Sequence, residues 1–94
     1  MSRMIWITTT GEQRSQAAEA LREAGAHAFT EIAASGLGAS GLRLGSAAFP
    51  GGSAVLFSVV AESEAAPILA RLSQLLATSD PPIRACSWPV EEVG

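Results

Sequence analysis

The sequence predicts an α+β domain, because strand-like and helix-like patterns alternate along its 94 residues in the order β-α-β-β-α-β. Two apolar, β-branched runs at 4–9 and 54–61 indicate strands. Two stretches at 12–24 and 68–76 carry alanine or leucine at the spacing of one helix face. Right-handed crossovers turn this order into an antiparallel four-stranded sheet with two helices on one face.

The first strand and the first helix follow each other directly. Residues 4–9, Met-Ile-Trp-Ile-Thr-Thr, are β-branched and aromatic, which is typical of a strand buried on both faces. Thr10 with Gln13 three residues later fits a capping box at the start of the helix. Gly25 stands where a C-terminal cap belongs, so the sequence predicts that the helix ends there.

The second and third strands flank the part of the chain that is richest in glycine. Residues 28–33 predict the second strand, and residues 54–61 predict the third. Because the third run is almost continuously apolar, we expect it to be an interior strand. The glycine-rich segment (35–45) has too many glycines for a helix and too few large side chains to pack, which predicts a long connection.

The second helix and the last strand complete the pattern. Ser63 is the expected N-cap, and Pro67 is expected in the first turn of the helix. The sequence Ser-Asp-Pro-Pro at 79–82 ends the helix, and residues 83–88 form the last strand until Pro89 ends it. The predicted apolar face of the helix consists of Ile68, Leu69, Leu72, Leu75 and Leu76.

The predicted element order is that of the ferredoxin-like βαββαβ sandwich. Its two helices cover one face of the sheet, and the sequence offers no further helix to cover the other face. Trp6, Phe57 and Trp88 are candidates for that second face, since each lies in a predicted strand. An exposed apolar sheet face predicts self-association, which also suits a small chain in which many of the apolar residues are alanines that bury little area each.

The composition excludes several classes of protein. With 48% hydrophobic and 16% charged residues, the chain 1–94 is expected to form one globular domain. The net charge is −3 and the chain has no lysine, which argues against nucleic-acid binding and against a polybasic membrane surface. No apolar run approaches the roughly 20 residues of a membrane span. The N-terminal residues do not resemble a signal peptide, so the expected location is the cytoplasm.

The sequence shows no pattern typical of a catalytic or metal centre. His27 is the only histidine and Cys86 the only cysteine, so no metal site is expected. Cys86 lies between small residues of a predicted strand, where a free cysteine normally acts as a small buried hydrophobe. The glutamates form no obvious catalytic pair, and the absence of asparagine argues against an acylphosphatase-like hydrolase. We therefore expect a protein that is not an enzyme.

The glycine-rich segment is the candidate ligand-binding element. Backbone N–H groups at Gly36, Leu37 and Gly38, unshielded by large side chains, favour an anion-binding nest, and Arg43 is suited to pair with a phosphate. Gly36, Gly38 and Gly41 have the spacing of the dinucleotide-binding fingerprint Gly-x-Gly-x-x-Gly. No helix follows them in the predicted structure, however, so a dinucleotide-binding motif is not indicated. The alternative is an ordinary flexible connection.

Two junctions between the predicted elements resemble those of a known family. Residues 30–32 leading into 36–38 look like a second strand that enters a long loop through a glycine-rich turn, and 54–61 followed by 62–64 look like a third strand with an acidic helix start. In these features the chain resembles the PII-like superfamily of small signalling proteins. The resemblance in the order of helices and strands extends over nearly the whole chain. The resemblance implies a homotrimer that binds an adenine nucleotide or a small anion in clefts between subunits.

The resemblance also implies roles for individual residues. The segment at about 35–53 would be the T-loop of the family, and its glycine-rich segment would contact a target protein. Gly36 and Gly38 would form the base of this loop near the phosphates. Thr30 and Phe57 would lie on strands that line the ligand cleft.

The connection between the second helix and the last strand leaves a second interpretation open. The family has a glycine-rich loop with a phosphate-binding lysine at this place, whereas residues 77–82, Ala-Thr-Ser-Asp-Pro-Pro, contain neither glycine nor lysine. The alternative is therefore a ligand-free oligomeric interaction module of ferredoxin-like fold.

Overall fold

The computed structural model describes residues 1–34, 36–38, 41–43 and 52–94, and it has the predicted α+β architecture. Four strands form one antiparallel sheet in the order β2-β5-β1-β6, and β3 and β4 pair as a separate antiparallel hairpin. This confirms the ferredoxin-like arrangement. The elements are β1 (Ser2–Thr10), a 3-10 turn (Gly11–Gln13), α1 (Arg14–Ala24), β2 (Thr30–Ala34), β3 (Gly36–Gly38), β4 (Gly41–Arg43), β5 (Ser53–Ala61), α2 (Glu62–Leu76) and β6 (Arg84–Val90).

The hydrophobic core lies between the sheet and the two helices. In β1, Ile5 and Ile7 are fully buried towards the helices, whereas Met4 and Trp6 on the opposite face are half-buried and Thr8 is exposed. The prediction that the first strand is buried on both faces is therefore wrong for the single chain, because both helices cover the same face. Other members of the core are Ala17, Ala20, Leu21, Leu56, Ile68, Leu72 and Leu76.

The expected cap residues lie on either side of helix α1: Thr10 caps the 3-10 turn that precedes it, and Gly25 caps its C-terminal end, whereas Gln13, the N-cap of α1 itself, makes no side-chain cap hydrogen bond. The Thr10 hydroxyl accepts a hydrogen bond from the backbone N–H of Gln13 at 3.3 Å, which is one half of the predicted capping box. The buried Gln13 side chain uses its amide differently and donates to the Pro81 carbonyl oxygen. At the other end, Gly25 has a φ of 111°, which confirms the predicted cap because glycine adopts this left-handed conformation without a Cβ clash.

The sequence predicts Ser63 as the N-cap of the second helix, but α2 already begins at Glu62. Ala61 is the N-cap and makes no side-chain cap hydrogen bond, since the chain passes directly from β5 into the helix. The backbone N–H of Glu62 donates instead to the Met1 carbonyl oxygen at 3.0 Å. Pro67 consequently lies in the second turn, not the first. No helix in the described part of the chain is long and apolar enough to cross a lipid bilayer.

The last strand continues through Pro89, where the sequence predicted its end. β6 spans Arg84–Val90, and Pro89 is in register with Arg3 of β1. β6 is an edge strand of the sheet. An edge strand tolerates proline because the outward-facing side of the strand needs no N–H donor.

The glycine-rich segment contains regular structure that the sequence did not predict. β3 and β4 pair with Gly36 opposite Arg43, Leu37 opposite Leu42 and Gly38 opposite Gly41. The high glycine content predicts an irregular connection, yet strand pairing uses backbone N–H and C=O groups, which glycine has like any other residue. The remaining parts of the expected T-loop-like segment, at 35, 39–40 and 44–51, lie outside the described residues.

Candidate functional site

The face of the sheet that the helices do not cover is apolar and open. Alternation along each strand places one set of side chains on this face, and the register of the sheet aligns them across neighbouring strands. Three of them are strongly exposed, namely Ile32 at 46%, Val59 at 41% and Trp88 at 40%. We call this surface the open face, and its large side chains and cysteine are Met4, Trp6, Ile32, Val55, Phe57, Val59, Cys86 and Trp88.

Three aromatic rings form the centre of the open face, as the sequence suggested. Trp6 stacks on Phe57 with ring centroids 5.8 Å apart and planes 16° apart. Trp88 lies on the other side of Trp6, with centroids 6.1 Å apart and planes tilted by 43°. These separations are within the range at which aromatic pairs attract each other beyond simple burial. The rings therefore form a continuous aromatic row over three strands.

The predicted ligand-binding residues fall into two groups. Thr30 and Phe57 are register partners across β2 and β5, and both lie on the open face. The other five lie in the hairpin, where Gly36 is opposite Arg43 and Gly38 is opposite Gly41. Thr30 is the first residue of β2 and Ala34 the last, so about 13 Å of strand separates Thr30 from the end that leads to the hairpin. Within one chain the two groups therefore lie at opposite ends of β2.

The connection between α2 and β6 is closed by its own hydrogen bonds. The buried Ser79 hydroxyl donates to the Leu76 carbonyl oxygen at 2.6 Å and accepts from the backbone N–H of Ile83 at 3.0 Å. The Pro81 carbonyl oxygen accepts from the Gln13 amide. This turn therefore uses its polar groups internally, and proline removes two further N–H donors at positions 81 and 82. It offers few free donors to a phosphate group.

A cleft of about 570 Å³ lies between α2 and the edge strand β6. Leu69, Leu72 and Leu76 line it from the helix, and residues 84–87 line it from the strand. Small side chains at Ala85 and Ser87 leave this space open beside the helix. Its volume is within the range of small-molecule sites, and its lining is mainly apolar, as such sites usually are. Arg84 is its only basic lining residue in the described part of the chain.

The residues considered for metal binding or nucleophilic chemistry do not come together. Cys86 is exposed on the open face in register with Trp6, so the expectation of a small buried hydrophobe is wrong for the single chain. His27 is also exposed and precedes β2. Within residues 1–34, 36–38, 41–43 and 52–94, no group of three or more histidine, cysteine or acidic side chains is placed to hold a metal ion.

Sequence reasoning missed several residues of the open face. Met4, Ile32, Val55 and Val59 share this face with the aromatic row, yet a nearly continuous apolar strand does not show which side chains face the helices. Arg84, at the loop end of the same face, also has no role in the sequence-based interpretation. The sequence does show one signal for Arg84, which is a charged residue within a predicted strand whose other side chains are apolar or small.

Comparisons with known proteins show that this fold is shared. No family model and no curated protein matches the chain. Among solved structures, CPII from Thiomonas intermedia K12, a nitrogen regulatory PII-like protein bound to ADP, AMP and bicarbonate, superposes with a TM-score of 0.68 at 18% identity, covering 95% of this chain and 87% of that one. A PII-like signalling protein from Thermus thermophilus gives a TM-score of 0.65 at 22% identity, covering 93% and 82%.

A third similar structure extends the likeness to almost the whole chain. A DUF3240 family protein from Shewanella baltica OS155 has a TM-score of 0.71 at 14% identity and covers 99% of this chain and 93% of that one. Identities this low show a common fold. The likeness to PII-like proteins suggested by the sequence is thus confirmed at the level of the three-dimensional structure.

Proposed function

We propose that this protein is a short, diverged member of the PII-like superfamily that acts in signalling as a homotrimer in the cytoplasm. Residues 1–94 would form one PII-like domain with a T-loop-like segment at about 35–53. The observation that carries the proposal is the structural likeness to CPII, which covers 95% of the chain. That structure is bound to ADP, AMP and bicarbonate, and we propose an adenine nucleotide or a small anion as the ligand here.

The open face supports the proposed assembly. Its aromatic row and the exposed Ile32 and Val59 form an apolar surface that monomeric proteins rarely leave in contact with water. A second and third copy would cover it and bury the tryptophan rings. The proposed clefts would then lie between subunits, where Thr30 and Phe57 of the open face meet the hairpin residues Gly36, Leu37, Gly38, Gly41 and Arg43.

The hairpin supports the proposed relay to a partner. It forms a separate two-stranded sheet outside the four-stranded one, so its position is not fixed by the main ladder of hydrogen bonds. We propose that the ligand changes the position of this hairpin and that the segment at 35–45 thereby binds or releases a target protein. No reaction at the ligand is required.

The first test combines solution mass with thermal stability. We expect a mass of three times the 9.6 kDa chain and a raised unfolding temperature with ADP, AMP or bicarbonate. A ligand at 100 times its Kd stabilises the folded state by about 2.7 kcal/mol, which a melting experiment resolves. A trimer that none of these ligands stabilises would contradict the sensor proposal.

The alternative is a ligand-free oligomeric interaction module. The turn at 77–82 favours it, because its Ser79 hydroxyl and its Pro81 carbonyl oxygen are already hydrogen-bonded and it contains no glycine or lysine. This alternative predicts the same assembled mass, the same melting temperature with and without nucleotide, and a protein partner for the hairpin.

A further inference from the structure

The 3-10 turn before α1 is hydrogen-bonded at both of its ends to distant parts of the chain. At its start, the backbone N–H of Gly11 donates to the Gly52 carbonyl oxygen. At its end, the side-chain amide of Gln13 donates to the Pro81 carbonyl oxygen. Gly52 directly precedes β5, and Pro81 belongs to the turn at 77–82 that precedes β6. One short turn therefore contacts the segments that lead into two different strands.

The first contact fixes the root of the T-loop-like segment, by which we mean Ala34, Gly52 and Ser53. Ser53, the first residue of β5, is in register with Thr10 on one side and with Ala34, the last residue of β2, on the other. Gly52 is buried. The bond from the 3-10 turn thus holds the chain at the point where both ends of the segment meet the sheet. A movement of the 3-10 turn therefore acts directly on this root.

The second contact uses an amide that is buried and hydrogen-bonded through both its oxygen and its nitrogen. Gln13 is only 8% exposed. Its Oε1 accepts a hydrogen bond from the Thr10 hydroxyl at 3.2 Å, and its Nε2 donates to Pro81. Leaving a buried donor without a partner costs more free energy than the hydrogen bond itself contributes. The 3-10 turn is therefore expected to follow a displacement of the Pro81 carbonyl oxygen and not to release it.

The turn at 77–82 is expected to move as one unit, because Ser79 closes it from inside. The buried Ser79 hydroxyl donates to the Leu76 carbonyl oxygen at the end of α2 and accepts from the Ile83 N–H just before β6. Pro81 itself is exposed. The turn is thus accessible from outside and is bonded to the 3-10 turn on its other side.

We infer that the 3-10 turn couples the turn at 77–82 to the root of the T-loop-like segment, with Gln13 as the positioning residue. A 3-10 turn of three residues has little stability of its own, so its conformation depends on what its two ends contact. Coupling between two sites is reciprocal, so a displacement at either end is transmitted to the other. The inference rests on the proposed function, because it names the contact through which the rest of the domain sets the position of that segment.

The test measures amide hydrogen exchange by NMR on the full chain without ligand. Gln13→Met keeps the length of the side chain but cannot donate to Pro81. We expect the exchange rate of the Gly11 amide, divided by that of the Ala26 amide, to rise about 5-fold, which is the effect of one hydrogen bond of ordinary net strength. The Ala26 amide donates to the Leu21 carbonyl oxygen at 2.9 Å at the end of α1. A general loss of stability would raise both rates and leave their ratio unchanged.

A distant substitution tests the transmission itself. Ser79→Ala removes the bonds that close the turn at 77–82 and alters no residue of the 3-10 turn, yet we expect the same ratio to rise. The double variant should show no larger rise than Gln13→Met alone, because the effect of Ser79 passes through Gln13. Thr78→Ala is the matched control. Its hydroxyl donates to a carbonyl oxygen of α2 at 2.9 Å in the same turn but does not close that turn, so the ratio should stay at the wild-type value.

Trypsin provides the readout at the hairpin. Arg43 is the basic residue of β4, so the rate of cleavage after it reports how firmly the root holds the segment. We expect faster cleavage after Arg43 in both Gln13→Met and Ser79→Ala. Cleavage after Arg71, which lies within α2, is the internal control and should keep its wild-type rate.

Three outcomes would overturn the inference. A wild-type exchange ratio in Gln13→Met means that the root does not depend on the bond to Pro81. Additive rises in the double variant mean that the two turns act separately. A raised ratio without faster cleavage after Arg43 means that the effect ends at Gly52. Because all of these measurements are made without ligand, they are independent of the melting experiment that decides the proposed function.

Discussion

At the scale of the residue, local conformation and hydrogen bonding followed the sequence closely. The cap at Gly25 and the bond from the Gln13 N–H to Thr10 could be predicted because each depends on residues within one turn of the helix. The hydrogen bond made by the Gln13 side chain could not be predicted in this way. Its amide reaches the Pro81 carbonyl, 68 positions away along the chain, and only the packed structure brings the two together.

Replacing Gly25 should destabilise the fold through the backbone alone. A Cβ at this position would stand 3.5 Å from Ile68 Cγ1, an ordinary contact, so Gly25→Ala creates no clash. The φ of 111° is nevertheless unfavourable for alanine, and we expect a loss of about 1–2 kcal/mol in the free energy of unfolding. Urea denaturation measures it. Gly94→Ala, with nothing within 4 Å of the new Cβ, is the control and should change nothing.

At the scale of the element, the apolar patterns identified both helices and every strand of the four-stranded sheet. The ends were less well predicted, because they depend on neighbours. α2 starts at Glu62 since its N–H donates to the Met1 carbonyl at the edge of β1. β6 runs through Pro89 since an edge strand can do without one donor. The sequence did not predict the hairpin β3–β4, because a segment rich in glycine shows no alternation of apolar and polar side chains.

Pro67 makes α2 less stable than its sequence otherwise allows. Proline in the second turn supplies no N–H to the Ser63 carbonyl oxygen. Pro67 is exposed, so Pro67→Ala removes little packing. We expect the free energy of unfolding to rise by about 2 kcal/mol. Alanine is about 3 kcal/mol more favourable than proline inside a helix, and part of this gain is offset because the unfolded chain becomes more flexible without proline.

The control for this prediction also checks the corrected start of the helix. Ser63 is exposed and does not cap α2, so Ser63→Ala should stay within about 0.5 kcal/mol of wild type in the same denaturation experiment. A loss of about 1 kcal/mol would instead mark Ser63 as the N-cap. No gain in Pro67→Ala would mean that the Ser63 carbonyl is satisfied in another way.

At the scale of the whole molecule, the sheet face that the helices leave uncovered is the surface proposed for assembly. Val59 lies on it, opposite Met4, and is 41% exposed. Val59→Glu places a carboxylate in the proposed interface without disturbing the helix-covered core, and desolvating that charge opposes association. We expect the solution mass measured by light scattering to fall towards the 9.6 kDa of one chain.

A matched substitution separates this effect from net charge. Ala70 is exposed on α2, away from the open face, so Ala70→Glu adds the same charge and should leave the assembled mass unchanged. Circular dichroism of both variants shows whether the fold is retained. If Val59→Glu keeps both its fold and the assembled mass, the subunits do not meet through the open face.

The sequence by itself determined the α+β class, the order of the main elements, and the cap residues Thr10, in the turn before α1, and Gly25, at its end. These follow from hydrophobic period and local stereochemistry, which act over a few residues. Only the tertiary structure decided which face of each strand the helices cover, that Trp6, Phe57 and Trp88 form one row, and that Arg84 has no carboxylate partner among the described residues. Those facts depend on strand register and on contacts between residues far apart in the chain, and a one-residue change of register would reverse each face.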